Sequence, residues 1–228
     1  MIEEHVVIET PEGDMSTFIV RPQHGDSLPT ILFLMDAPGK REELHDMARR
    51  IAATGYYVML PNLYYRDVPS FTVHREDPVS ARYMAQLMAN LSNSMVARDA
   101  SALLDYAAKD VAANENLVGV TGYCMSGPFA LWVAAEYPDI VKATASIHGV
   151  RLAIDTEDSP HKRAEDIEAE VLVMAAEFDD WVDRPHFDRL VTALDDANTN
   201  YNAEWIDDVH HGFVFPQRAK YDLSLIHI

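Results

Sequence analysis

Val118-Gly119-Val120-Thr121-Gly122-Tyr123-Cys124-Met125-Ser126-Gly127 is the stretch from which the fold of this 228-residue chain can be read. An apolar run enters a turn of small residues and continues into a predicted helix over 126–137. A sharp strand-to-helix turn holds its central side chain in a strained, exposed position, and small neighbours let the chain pass close by. Cys124 occupies that position. The same turn aims the free backbone amide of Met125 and the positive end of the helix at whatever the sulfur attacks, which offers half of an oxyanion hole. A lone cysteine is otherwise ordinary buried filler. This turn makes it a candidate nucleophile.

Working outward, the pattern alternates. Upstream, residues 4–9 and 15–21 alternate apolar and polar about Pro11-Glu12-Gly13-Asp14, the signature of an antiparallel hairpin. Residues 29–35 form a continuous apolar run, as in a strand buried on both faces of a parallel sheet. Leu44, Met47, Ala48 and Ile51 fall at helical spacing within 41–54, Gly55 is the stop, and a strand follows over 56–60. Further helices are predicted at about 91–112 and 184–195. Strands are predicted at 117–121, 141–147, 170–175 and 202–206. This alternation specifies an α/β fold, a mostly parallel twisted sheet with helices on both faces. Residues 62–80 and 150–168, rich in Pro, Asp, Ser and His, are predicted surface excursions over one end of that sheet. Ligands of such sheets bind beyond the carboxyl ends of the strands.

Composition narrows the function classes. Thirty-seven acids against 18 Lys and Arg give a net charge of −19, which argues against nucleic acid and anionic membrane as partners. An acidic substrate would need a local arginine to overcome that field. The single cysteine excludes an intramolecular disulfide and a Cys-rich zinc site, and neither a metal nor a cofactor is expected. The N-terminus has no basic or apolar leader, and no segment approaches the roughly 20 apolar residues of a membrane span. A cytoplasmic protein, monomeric or weakly homo-oligomeric, is the expectation.

A thiol nucleophile needs a base, and the base needs an orienting group. His211 lies in Asp207-Asp208-Val209-His210-His211-Gly212-Phe213, directly after the last predicted strand, and Asp179 lies in the loop after the preceding one. The order nucleophile, acid, histidine, each at its own strand end, is what this architecture uses. Spacing alone leaves ordinary alternatives, because Asp179 and Asp180 also suit helix capping before Arg184.

With those residues in view, the sequence resembles the dienelactone hydrolase family of α/β-hydrolases. The likeness rests on Gly122-Tyr123-Cys124-Met125-Ser126-Gly127, on the Asp179 segment, on His211-Gly212-Phe213 and on Gly55-Tyr56-Tyr57-Val58-Met59-Leu60-Pro61, and it runs from about Thr10 to Tyr221. It implies Cys124 as nucleophile, His211 as base, Asp179 as its partner, and an oxyanion hole from the amides of Met125 and Ala37. It also implies a catalytic acid at Asp36, near the resting thiol, where the family usually has glutamate. Aspartate is one methylene shorter, and Asp36 equally fits a cap for the helix beginning near Arg41. Ser126 stands where the elbow normally has glycine, so its side chain either crowds the turn or donates a hydrogen bond into the site. The family anchors a substrate carboxylate with arginine. Arg82 and Arg218 are the candidates here, with His148 expected to line the pocket, although an exposed helical salt bridge for Arg82 and a satisfied core histidine for His148 fit the same residues. The implied activity is cysteine-dependent opening of an enol-lactone or small carboxylic ester through a thioacyl-enzyme, of the kind used in aromatic degradation. A general short-chain carboxylesterase or thioesterase is the alternative within enzymes. A non-catalytic ligand-binding or thiol redox-sensing protein is the alternative outside them.

The resemblance fades at the C-terminus. Residues 1–222 are expected to form one α/β-hydrolase domain lacking its final helix, and Leu223-Ser224-Leu225-Ile226-His227-Ile228 reads as a non-native tail translated from a library-preparation adapter.

Overall fold

The structure is a computed structural model that describes residues 1–74 and 76–225. Its strands are β1 (Ile2–Thr10), β2 (Gly13–Arg21), β3 (Leu28–Leu34), β4 (Tyr57–Pro61), β5 (Ala113–Tyr123), β6 (Val141–Ile147), β7 (Glu170–Phe178) and β8 (Tyr201–His210). They form one sheet in the order β1-β2-β4-β3-β5-β6-β7-β8. The β1–β2 and β2–β4 pairs are antiparallel, and every pair from β4 to β8 is parallel. The helices are α1 (Glu42–Ala52), α2 (Pro78–Ala89), α3 (Asn93–Ala107), α4 (Gly127–Glu136) and α5 (Arg184–Asp196). This is the expected α/β-hydrolase fold.

Local chemistry accounts for the elements. The β1–β2 hairpin closes in register from Ile2 opposite Arg21 to Thr10 opposite Gly13, with Gly13 at a φ of 134° that a side chain would strain. Leu32, Phe33 and Leu34 of β3 are fully buried between β4 and β5, which is why that strand reads as an unbroken apolar run. α4 has eight buried residues in ten, so it lies inside the layer structure, packed on α3, β5 and β6. Asp77 caps α2 by accepting from the Val79 amide at 2.9 Å, and Ser92 caps α3 through the Met95 amide.

Boundaries differ most where polar residues extend a strand. β8 runs to His210 rather than ending at residue 206 because pairing with β7 resumes there, His210 opposite Phe178, after an irregularity at the exposed Asp207 and Asp208, where Asp208 has φ 62° and its amide donates to the Glu177 carboxylate at 2.8 Å. α3 spans 93–107 within the expected 91–112, and Lys109 and Asp110 turn the chain back into β5.

Register positions the site. Tyr123 pairs with Ile147, Ile147 with Met174, and Phe178 with His210. The residues one step beyond these strand ends are Cys124, His148, Asp179 and His211, so one edge of the sheet gathers them. On one face of the sheet an open groove of about 570 Å³ is lined by residues including Ile31, Ile51, Tyr56, Leu172 and Leu225. Of the expected tail, Leu223–Leu225 form a short 3-10 turn and residues 226–228 lie outside those described. Among the described residues no helix is long and apolar enough to cross a membrane.

Candidate active site

The elbow is strained at its centre. Cys124 has φ 53°, a left-handed conformation that a side-chain-bearing residue adopts only when its surroundings over-determine it. Close packing supplies that constraint. A Cβ on Gly122 would lie 2.1 Å from the Ser126 carbonyl oxygen, and one on Gly127 would lie 2.4 Å from the Gly149 Cα. Ser126 neither crowds the turn nor points into the site. Its buried hydroxyl accepts from the Tyr123 amide at 2.8 Å and donates to the Leu34 carbonyl at 3.0 Å, tying the elbow to the end of β3. The Val150 amide donates to the Cys124 carbonyl at 3.1 Å, so the β6 loop straps the other side.

His211 and Asp179 meet as their strand ends predict. His211 Nδ1 lies 2.7 Å from Asp179 Oδ2, and both side chains are buried. The other carboxylate oxygen, Oδ1, accepts from the Trp181 amide at 2.9 Å, which fixes the acid. The exposed Trp181 ring packs edge-on against the His211 imidazole, with centroids 4.6 Å apart. Burial works against a charge on His211, but the Asp179 hydrogen bond and the adjacent Cys124 sulfur outweigh it and raise the pKa to about 9. Nε2 makes no well-aligned hydrogen bond in the resting site, although the sulfur is near enough to act on the ring. Such contacts are commonly loose before substrate binds.

His148 sits behind this pair. It is 1% exposed, its ring lies 4.6 Å from that of His211 in an edge arrangement, and neither ring nitrogen has a partner among the described residues. Desolvation, with the charges of His211 and Arg218 adding, holds its pKa well below the usual value, so it is a neutral ring. It forms a wall under His211 together with Phe213 and Phe215.

Asp36 is fully buried, and its partners are arginines. Arg218 donates to Oδ2 at 2.7 Å, and Arg41 engages both carboxylate oxygens while also reaching Glu43 at 2.6 Å. Both guanidinium groups stack on Phe215, at 4.6 and 5.4 Å from its centroid. No hydrogen bond joins Asp36 to Cys124 among the described residues. The Tyr64 hydroxyl lies between these features, donating to the Ala37 carbonyl at 2.8 Å and touching the Met125 sulfur at 3.2 Å. Burial pushes its pKa up, and the charges of Asp36 and Cys124 add to the shift. Neither the Ala37 nor the Met125 amide is spent in a turn or loop hydrogen bond among the described residues, which leaves both N–H groups available. Arg82 is exposed on α2 and forms no ion pair among the described residues.

Sequence reasoning did not find Arg41, Tyr64 or Trp181. Arg41 carries a weak signal, five residues beyond Asp36, but no helical or strand periodicity joins the two. Tyr64 and Trp181 reach the site only through loop conformation.

The model of the dienelactone hydrolase family matches residues 15–224. A carboxymethylenebutenolidase from Rhodococcus opacus is 26% identical over 215 residues, covering 92% of this chain and 81% of that protein. A Methylorubrum extorquens protein provisionally named carboxymethylenebutenolidase is 26% identical over 227 residues, covering 97% and 75%. Among solved structures, a dienelactone hydrolase-like promiscuous phosphotriesterase from metagenomic libraries superposes with a TM-score of 0.80 at 16% identity, over 98% of this chain and 91% of its own.

Proposed function

The chain belongs to the dienelactone hydrolase family, a group of hydrolases acting on esters and lactones, and from that premise we propose that Cys124 is its nucleophile, His211 its proton carrier and Asp179 the group that orients the imidazole. The observation that carries this reading is the 2.7 Å His211–Asp179 bond beside the strained Cys124. With a pKa near 9, His211 is an imidazolium at neutral pH, able to give up a proton from Nε2.

The thiolate adds to the ester or lactone carbonyl, and the oxyanion that forms accepts from the Met125 and Ala37 amides. As the C–O bond breaks, His211 gives its Nε2 proton to the leaving alkoxide, which leaves a thioester and neutral imidazole. Water then loses a proton to His211 while its oxygen adds to the thioester carbonyl. Collapse expels the thiolate and releases the acid. Asp179 fixes the tautomer throughout. Intact-mass analysis of enzyme quenched in acid during turnover of p-nitrophenyl acetate tests this sequence. One acetyl group on the Cys124 peptide is the expected adduct, and ester turnover with the adduct elsewhere would exclude Cys124.

The Arg218–Asp36 ion pair supports an ester without a carboxylate, because the arginine best placed near the site is already neutralised, and Arg82 is exposed. This favours a general short-chain carboxylesterase over an enol-lactone acid specialist. A cis-dienelactone compared with a neutral nitrophenyl ester separates the two.

Asp179→Asn is expected to lower kcat/KM on the order of 10³-fold, because the amide no longer stabilises the imidazolium. It should also move the alkaline limb of the kcat/KM profile from near pH 9 to lower pH. Stability follows the same titration. A histidine whose pKa rises on folding contributes stability that is fully present below about pH 6.5 and is lost as pH rises through about 9. The wild type minus Asp179→Asn difference in urea unfolding should therefore shrink between pH 6 and pH 10 by the part of that stability that Asp179 supplies. A difference that stays constant with pH would contradict the charged pair.

A further inference from the structure

Beside the elbow lies a cavity of about 250 Å³ that the triad chemistry does not use. It opens where the end of α2 and the start of α3 approach the Met125 side of the turn and the loop after β6. Its walls include Met88, Leu91, Met125, Phe129 and Ile154. Two of its borders are bound to the nucleophile's backbone. Met125 follows Cys124 directly, and the Val150 amide donates to the Cys124 carbonyl. Main-chain links thus join two walls of the slot to the elbow at Cys124.

The slot holds one polar irregularity. Asn93, the first residue of α3, lines it and is 7% exposed. Its Nδ2 donates to the Asp158 carbonyl, and a carbonyl can only accept, so the amide orientation is fixed. Oδ1 is then a buried acceptor with no donor among the described residues. Buried acceptors are almost always satisfied, and an unsatisfied one beside a cavity marks a place for a ligand donor. Arg151 and Asp158 also line the slot, both exposed and of opposite sign, so the entrance has no net preference for an ion.

We propose that this slot is a substrate subsite that takes a short, uncharged hydrocarbon arm of the ester, and that Asn93 Oδ1 accepts a hydrogen bond from a hydroxyl on that arm. The proposal rests on Cys124 being the nucleophile and adds the shape and polarity of what it attacks. Walls of methionine, leucine, isoleucine and phenylalanine bind the methylenes, and a fragment-sized volume limits the length. A site built to pair a hydroxyl discriminates against the analogue lacking it, since binding that analogue leaves the acceptor buried and unpaired.

Kinetics of the full chain on four p-nitrophenyl esters, the acetate, hexanoate, 6-hydroxyhexanoate and hemiadipate, test the subsite. Wild type is expected to prefer 6-hydroxyhexanoate to hexanoate by roughly tenfold in kcat/KM. Asn93→Ala should bring that ratio to about one. Ala89→Trp, which fills the slot from an exposed position on α2, should raise the acetate-to-hexanoate ratio at least tenfold, chiefly through the hexanoate KM. Ala85→Trp, from another exposed wall position, replaces it if that variant does not fold. A hydroxyl preference that survives Asn93→Ala, a filled slot that leaves the ratio unchanged, or preference for the hemiadipate overturns the subsite and leaves the nucleophile standing. Failure of wild type to turn over any ester, acetate included, overturns the functional reading and the subsite with it.

Discussion

Cys124→Ala is expected to lower ester turnover by roughly 10⁴-fold or more, to near the rate supported by binding and backbone dipoles alone. The size of the effect follows from covalent chemistry. Without the sulfur no thioester forms, and His211, placed to protonate a leaving group, has no nucleophile to serve. The variant should fold normally, because Cys124 is only partly buried and its backbone strain is held by neighbours rather than by the side chain. Alanine also leaves the Ser126 and Val150 hydrogen bonds intact, since both involve other atoms. Rates on p-nitrophenyl acetate, with circular dichroism as the folding control, are the measurement. An unchanged rate would remove Cys124 from the mechanism. A wild-type thiol that reacts with alkylating reagents in a protein without ester turnover would instead support the redox-sensing alternative.

Asp36→Asn is expected to cost about 3–5 kcal/mol of stability, the range for removing one partner of a buried ion pair. Asp36 is fully buried between two arginines whose side chains are 21% and 18% exposed, and both flank Phe215. Arg41 keeps Glu43, but Arg218 loses its acid, and the two guanidinium groups that met on Asp36 Oδ2 are left without the carboxylate between them. The double variant Asp36→Asn with Arg218→Met should recover part of the loss, because it removes the orphaned cation. Urea unfolding of the two single variants and the double variant measures this. Asp36→Asn within 1 kcal/mol of wild type would refute the structural role, and a kcat loss without a stability loss would return Asp36 to the thiol.

These two residues show how far the sequence carries. The fold and the candidate triad were legible because both are local. Strand periodicity, the small-residue elbow and the motifs one step past β7 and β8 each lie within a few residues of the element that places them. The hairpin was legible for the same reason, since Pro11-Glu12-Gly13-Asp14 encodes its own reversal. The long end of β8 was not, because Asp207 and Asp208 interrupt the strand and only the Glu177 carboxylate on β7, which takes the Asp208 amide, carries it on to His210.

What the sequence by itself determined is therefore the α/β sheet, the elbow at Cys124 and the strand ends that carry Asp179 and His211. Tertiary structure alone decided the partners of Asp36, the neutral state of His148, the hydrogen bonds of Ser126 and the polarity of the slot at Asn93. The reason is physical. Periodicity and turn chemistry are set by neighbours along the chain, whereas ion pairing, desolvation and unsatisfied acceptors depend on what another element brings near. For Arg218 and Asp36 that meeting spans 182 positions of sequence.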